Sequence, residues 1–393
     1  MNLPSEIVER IIHFVDSSLY PIIYYLFRDI LNIPSPTSNQ INELFYYSAR
    51  NGNKDLCYLA KKWGANNFNA MLISAAFGGH EHLCYLAKKW GARNFNWMLN
   101  HAAKGEHENL CRLAKIWGAN DFDRMLRYTA KKGNEHLCRL AKKWGATNFN
   151  EMIFHTAKGG YKHLCYLAKK WGADNFDAMI EGAAEGGHED LCRLAKELGA
   201  NEFDWMIYKA ARYNHENLCQ LAKKWGVTDF NWMLYGASKG DHEYLCHLAK
   251  EWGANDYNFM LSAAAKGGHE HLCRLAKNWG ANNFNDMLSA AVRGEHEHLY
   301  RLAIKWGANP DKLLYLATIK GDKRLCELAK EQGATNFNQM LYIAAKKRNK
   351  HLCCLAKEWG ATNFNRMMLY VAVEQEHSHL CQLAKEWGST LNF

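Results

Sequence analysis

Apolar positions in this chain recur at helical spacing, in two short stripes that alternate along almost its whole length. Residues 67–93 show the unit. Met71, Leu72, Ala75 and Ala76 fall at i, i+1, i+4 and i+5, which lays one apolar stripe along a first helix. Leu83, Cys84, Leu86 and Ala87 form the stripe of a second helix. Asn69 is placed to cap the first helix, because asparagine side chains satisfy the orphan N–H groups at a helix start. Every copy carries Asn or Asp in that slot, from Asn42 to Asn365. Gly78 and Gly79 end the helix, since glycine adopts the left-handed conformation beyond a last turn. His80 and Glu81 open the second helix, and Gly91 closes it after Trp90. Lys88 and Lys89 lie near its C-terminus, where positive charge suits the dipole.

Tryptophan supplies the ruler. Trp63, Trp90, Trp117, Trp144, Trp171, then Leu198 in the same slot, then Trp225, Trp252, Trp279 and Trp306 are each 27 residues apart. The slot continues at Gln332, Trp359 and Trp387, after steps of 26, 27 and 28 residues. A fixed period of this size marks a stacked-repeat architecture. Helices of eight to ten residues are marginal alone in water, so each copy must be ordered by its neighbours. The pattern predicts an all-α fold, an α-solenoid of about thirteen helix-turn-helix repeats spanning residues 39–393. Residues 1–38 stand apart as a helical segment that ends in the linker Pro34-Ser35-Pro36-Thr37-Ser38.

Composition narrows the function classes. The chain is 48% hydrophobic, enough to fill a continuous core between layers. The net charge of +9 is spread among alternating lysines and glutamates, so we infer no nucleic-acid partner from it. No run of 18 apolar residues predicts a membrane span. Glu6, Glu9 and Asp16 near the start do not fit a signal peptide. Twelve of thirteen cysteines, Cys57 to Cys381, occupy one slot of the repeat. Stacked helices lie about 8–10 Å apart, beyond the roughly 4.4–6.8 Å a disulfide tolerates between Cα atoms. They read as small buried apolar residues in a reducing compartment, and a cytoplasmic location is expected.

The copies disagree at informative slots. The residue before the first-helix methionine is Ala70, Trp97, Arg124, Glu151, Ala178, Trp205, Trp232, Phe259 and Asp286 in successive repeats. Three positions on come Ile73, Asn100, Arg127, Phe154, Glu181, Tyr208, Tyr235, Ser262 and Ser289. Both slots are expected off the buried stripe and on one face. Trp205 with Tyr208, Trp232 with Tyr235, and Phe259 then form a run of aromatics on three consecutive first helices. Together with Trp97 they are the candidate partner-binding residues, since exposed aromatics flanked by charge anchor interactions. The alternative is that the rings only pack on one another. Basic residues recur near the ends of the first helices, among them Lys104, Lys158, Arg212, Lys239, Lys266 and Arg293. Such a column either meets an acidic partner or complements helix C-termini. The pairs His80/His82, His269/His271, His296/His298 and His377/His379 lack the further ligands zinc needs, so no metal is expected and no cofactor is called. No phosphate loop, nucleophile elbow or zinc-protease helix motif occurs, and the expectation is a chain that is not an enzyme.

Ala75-Ala76-Phe77-Gly78-Gly79-His80-Glu81-His82-Leu83, followed by Leu86 and Gly91-Ala92, resembles the second two-thirds of an ankyrin repeat. An ankyrin repeat has about 33 residues, so about six are missing here, those that would build its β-hairpin finger. The resemblance implies an ankyrin-like stack without fingers, its first helices lining the concave surface where targets bind. Repeats carrying Trp-Gly-Ala are similar to those of repeat proteins of large DNA viruses. Leu3-Pro4-Ser5-Glu6-Ile7-Val8-Glu9-Arg10-Ile11-Ile12-His13-Phe14-Val15 looks like the opening helix of an F-box. That likeness implies docking on the Skp1 subunit of a cullin ubiquitin ligase, with Leu3, Pro4, Ile7 and Ile11 facing Skp1. The expected function is a protein–protein interaction module and monomer, in its sharper form a substrate adaptor for that ligase. The alternative is a binding or sequestering scaffold whose N-terminal segment only caps the solenoid.

Overall fold

The computed structural model describes residues 37–366 and 378–390. Among them the regular structure is entirely helical, with no strand. The chain divides into two compact units, Met1–Asn201 and Glu202–Phe393. Each is an α-solenoid of consecutive helix pairs. In the first unit six pairs run from Ser38–Arg50 and Lys54–Lys62 to Phe176–Gly186 and Glu189–Glu197. In the second, six pairs run from Phe203–Arg212 and Glu216–Lys224 to Phe337–Lys346 and Lys350–Glu358, and the helix Ser378–Glu386 comes later. The first helix begins one residue earlier than the predicted boundary, because Thr37 and Gln40 form a capping box ahead of Ser38. Leu3, Pro4, Ile7, Ile11 and the pair His377/His379 lie outside the residues whose side chains are described.

The two stripes become the core. Met71, Leu72, Ala75, Ala76, Leu83, Cys84 and Ala87 are all fully buried. The alanines keep adjacent helix axes close, and glycine takes this further. A Cβ on Gly78 would stand 2.1 Å from the carbonyl oxygen of Arg50 in the preceding repeat. His80 lies against the same place. Its Nε2 donates to the Arg50 carbonyl at 3.0 Å, satisfying an orphan acceptor at a helix C-terminus. His107, His188, His242 and His269 repeat this bond to Phe77, Lys158, Arg212 and Lys239.

The Asn/Asp column has a different task from the one expected. Asn67, two residues earlier, caps the first helix by accepting from the N–H of Ala70 at 3.0 Å. Asn69 already lies within the helix. Its Oδ1 accepts from the backbone N–H groups of Arg93 and Asn94, at 2.9 and 3.0 Å, in the loop that opens the next repeat. Asn96, Asp123, Asn150, Asn231, Asn258, Asp311 and Asn338 do the same. The column is therefore an inter-repeat clasp. A second one forms from the tryptophans. Lys88 lies 4.3 Å from the Trp117 ring and 5.6 Å from that of Phe95, and those two rings meet edge to face at 5.4 Å. The lysine expected to serve its own helix dipole thus also caps an aromatic pair of the following repeat.

Candidate functional site

In the second unit the first helices Phe203–Arg212, Asn231–Gly240 and Tyr257–Gly267 stand side by side. Their first and second turns carry Trp205, Tyr208, Trp232, Tyr235 and Phe259 into one contiguous ledge. Trp205 meets Tyr208 edge to face at 5.6 Å and Trp232 at 5.6 Å with the rings tilted by 35°. Trp232 presents its edge to Phe259 at 5.7 Å. Phe259 stacks on Tyr235 at 4.0 Å, and Tyr235 reaches back to Tyr208 at 5.8 Å. Each such pair adds about 0.5–1.5 kcal/mol beyond area burial, so the ledge is a stiff object before any partner arrives.

The rings are not equally available. Trp205 is 46% exposed, whereas Tyr208 is 6% exposed. Trp232, Tyr235 and Phe259 are half-buried. Tyr208 was expected off the buried stripe, and the structure corrects that. The neighbouring helix approaches closely at Gly236, where a Cβ would sit 2.3 Å from the Tyr208 carbonyl oxygen. The neighbouring helix comes so close that it roofs the tyrosine. Burial, and then the neighbouring Tyr208, push the Tyr235 phenol above its ordinary pKa, while Arg293 and Arg212 pull it down.

Cations border the ledge along the C-terminal ends of these helices. Arg212 Nη1 donates to the Tyr208 hydroxyl oxygen at 3.3 Å, and Lys239 Nζ donates to the same oxygen at 3.4 Å. Lys266 and Arg293 continue the row in the next two repeats, both exposed.

Trp97 belongs elsewhere. It lies on the first helix Phe95–Lys104 of the first unit, 43% exposed, and no second aromatic run forms around it among the described residues. His101 lies 5.8 Å from its ring, and the Arg124 guanidinium lies 5.4 Å from the ring centre. Three residues along, Asn100 is also buried, against expectation. Neither its amide nitrogen nor its oxygen has a hydrogen-bond partner.

The cysteine column offers no nucleophile. Cys57, Cys84, Cys192, Cys219 and Cys273 are buried free thiols pushed up to about 12 by burial. In Cys246 the Ser238 hydroxyl relieves part of that, leaving it at about 11. Among the described residues no three His, Cys, Asp or Glu side chains converge on a metal-sized space. No described helix is long and apolar enough to cross a membrane.

No protein-family model matches the chain. No curated protein matches it either.

Two features of this face were beyond sequence reasoning. One is the burial of Tyr208 beside Gly236, whose slot holds Gly182, Ala263, Ala290 and Ile343 in other repeats. The other is the sharing of one phenol oxygen by two cations, which only the register between repeats decides.

Proposed function

We propose that the chain is a protein-recognition module and that the aromatic ledge of the second unit is its principal contact surface. One observation carries the reading: five rings from three successive repeats form a single rigid, partly exposed surface bordered by cations. Rigid aromatic anchors lose little entropy on binding and dominate interface energetics. Binding rather than catalysis also accords with cysteines that are buried and protonated at neutral pH. The free thiols further support a reducing, cytoplasmic setting. The ankyrin-like reading of the repeats rests on the pairing of short helices at a 27-residue period with no strand among the described residues.

Photo-crosslinking tests the module. A benzophenone amino acid at position 232 is expected to capture a protein in cells. Trp205→Ala combined with Trp232→Ala should weaken that partner's binding about tenfold or more while the helical content stays intact. A partner indifferent to both changes would remove the ledge from the proposal.

In its sharper form the module is a substrate adaptor of a Skp1–cullin ubiquitin ligase, with residues 3–33 holding the ligase. Its support is the F-box-like run from Leu3 to Val15. Co-elution of the purified chain with Skp1, lost on Leu3→Ala with Pro4→Ala, is the expected result. Without co-elution, the scaffold reading takes its place.

A further inference from the structure

Several arginines on the second helices are satisfied within their own helix. Arg112, Arg139, Arg193, Arg274 and Arg301 each pair with a glutamate four residues earlier. On the first helices of the first unit, Lys158 pairs with Glu185 and Arg127 with Glu151. Beyond the ledge, Lys320 pairs with Glu295. Between these, Arg212, Lys239, Lys266 and Arg293 close four consecutive first helices, and none has a carboxylate partner among the described residues. Two of them are half-buried, and their polar contact is the neutral Tyr208 hydroxyl. A half-buried cation with only a neutral acceptor gains charge-assisted hydrogen bonds when a carboxylate arrives.

The row has a spacing. Packed helices stand about 8–10 Å apart, and an extended polyproline II chain has three residues per turn at about 3.1 Å each, so one repeat matches one turn and every third side chain falls on one edge. We propose that the ledge and this cation row bind an extended acidic segment of a partner protein, with carboxylates at every third residue and apolar side chains between them on the rings. The inference rests on the recognition reading above and names the chemical class of its partner. Nucleic acid fits less well. The rings engage one another rather than standing apart as separate platforms for stacked bases.

Fluorescence anisotropy on the full chain tests this, using three labelled peptides of equal length. One places Glu at every third residue with Leu between. A second clusters the same residues at opposite ends. The third replaces every Glu by Gln. The spaced peptide should bind about tenfold or more tightly than the Gln peptide near physiological salt and weaken as salt rises. The clustered peptide should fall between. Lys266→Glu with Arg293→Glu alters only exposed side chains and should cost the spaced peptide about tenfold, while Arg212→Gln with Lys239→Gln reports on the half-buried pair. Equal binding of the spaced and Gln peptides overturns the inference. So does tighter binding of labelled polyuridylate RNA that the charge reversals abolish. A neutral partner crosslinked at position 232 would sink the acidic class while leaving the recognition reading standing. Absence of both a crosslinked partner and peptide binding would sink the two together.

Discussion

Gly236→Ala is the most informative single change in the molecule. The added Cβ would meet the Tyr208 carbonyl oxygen at 2.3 Å and Tyr208 Cδ2 at 3.2 Å. Carbon–oxygen contacts settle near 3.3 Å or beyond, so the helices Phe203–Arg212 and Asn231–Gly240 must part by about 1 Å. Overpacking of this kind costs about 1–3 kcal/mol. Opposing it, alanine is better than glycine in a helix interior by about 0.5–1 kcal/mol. The two terms have opposite signs, and the contact wins unless the helices separate freely. The expected outcome is a net loss of up to about 2.5 kcal/mol, felt first in these two helices. Parting them also loosens the Tyr208–Tyr235 contact, now at 5.8 Å, and exposes the Tyr208 ring. Repeat arrays need not unfold in one step, so the measurement is amide hydrogen exchange on residues 203–212 and 231–240 rather than a melting temperature alone. Faster exchange there, with weakened binding at the ledge, is expected. If Gly236→Ala instead slows exchange by the amount helix propensity predicts, the close-approach reasoning is wrong, and so is the account of why Tyr208 is buried.

Three further outcomes follow from the geometry. Asn258 accepts from the N–H groups of Asn282 and Asn283, both at 2.8 Å, so Asn258→Ala should cost about 1–3 kcal/mol at about 0.5–1.5 per bond, whereas Asn258→Asp keeps the acceptor and should be near neutral. Exchange of the residue 282 and 283 amides checks this, and equal exchange in both variants would count against the clasp. Asn100→Leu removes a buried amide with no hydrogen-bond partner and should stabilise the first unit by about 1–2 kcal/mol in denaturant titration; a loss would mean that the amide is satisfied after all. The buried thiols titrate at about 11 to 12 when folded against 9.0 when exposed, so their contribution is complete below pH 9 and is lost as pH rises from there towards 12. Stability should fall above pH 9 by up to about 1.4 kcal/mol per pH unit for each thiol, Cys246→Ala should make the fall shallower, and a circular-dichroism profile that stays flat to pH 11 would contradict it.

The helix pairs were legible because the chain repeats one amphipathic phrase, and each copy votes for the same stripe. Met71, Leu72, Cys84 and Ala87 needed no more than their period to be assigned to the core. The polar columns were harder because one chemistry serves two tasks. Asn67 and Asn69 are two residues apart, and either side chain can accept an N–H. Only the rise of the helix decides which reaches its own third turn position and which faces the next loop. A period of 27 says that a column exists without saying whether its bonds run within a repeat or between repeats. The same limit governs the ledge. Its rings could be placed on one face from the sequence, but their depth depends on the neighbouring first helix, whose distance is set by Gly236, a residue with no side chain to notice. Gly182 makes the same approach in the first unit, 2.3 Å from the Phe154 carbonyl oxygen, and there the ring stays half-buried, so the glycine sets the backbone distance while the side chains around the ring set its depth.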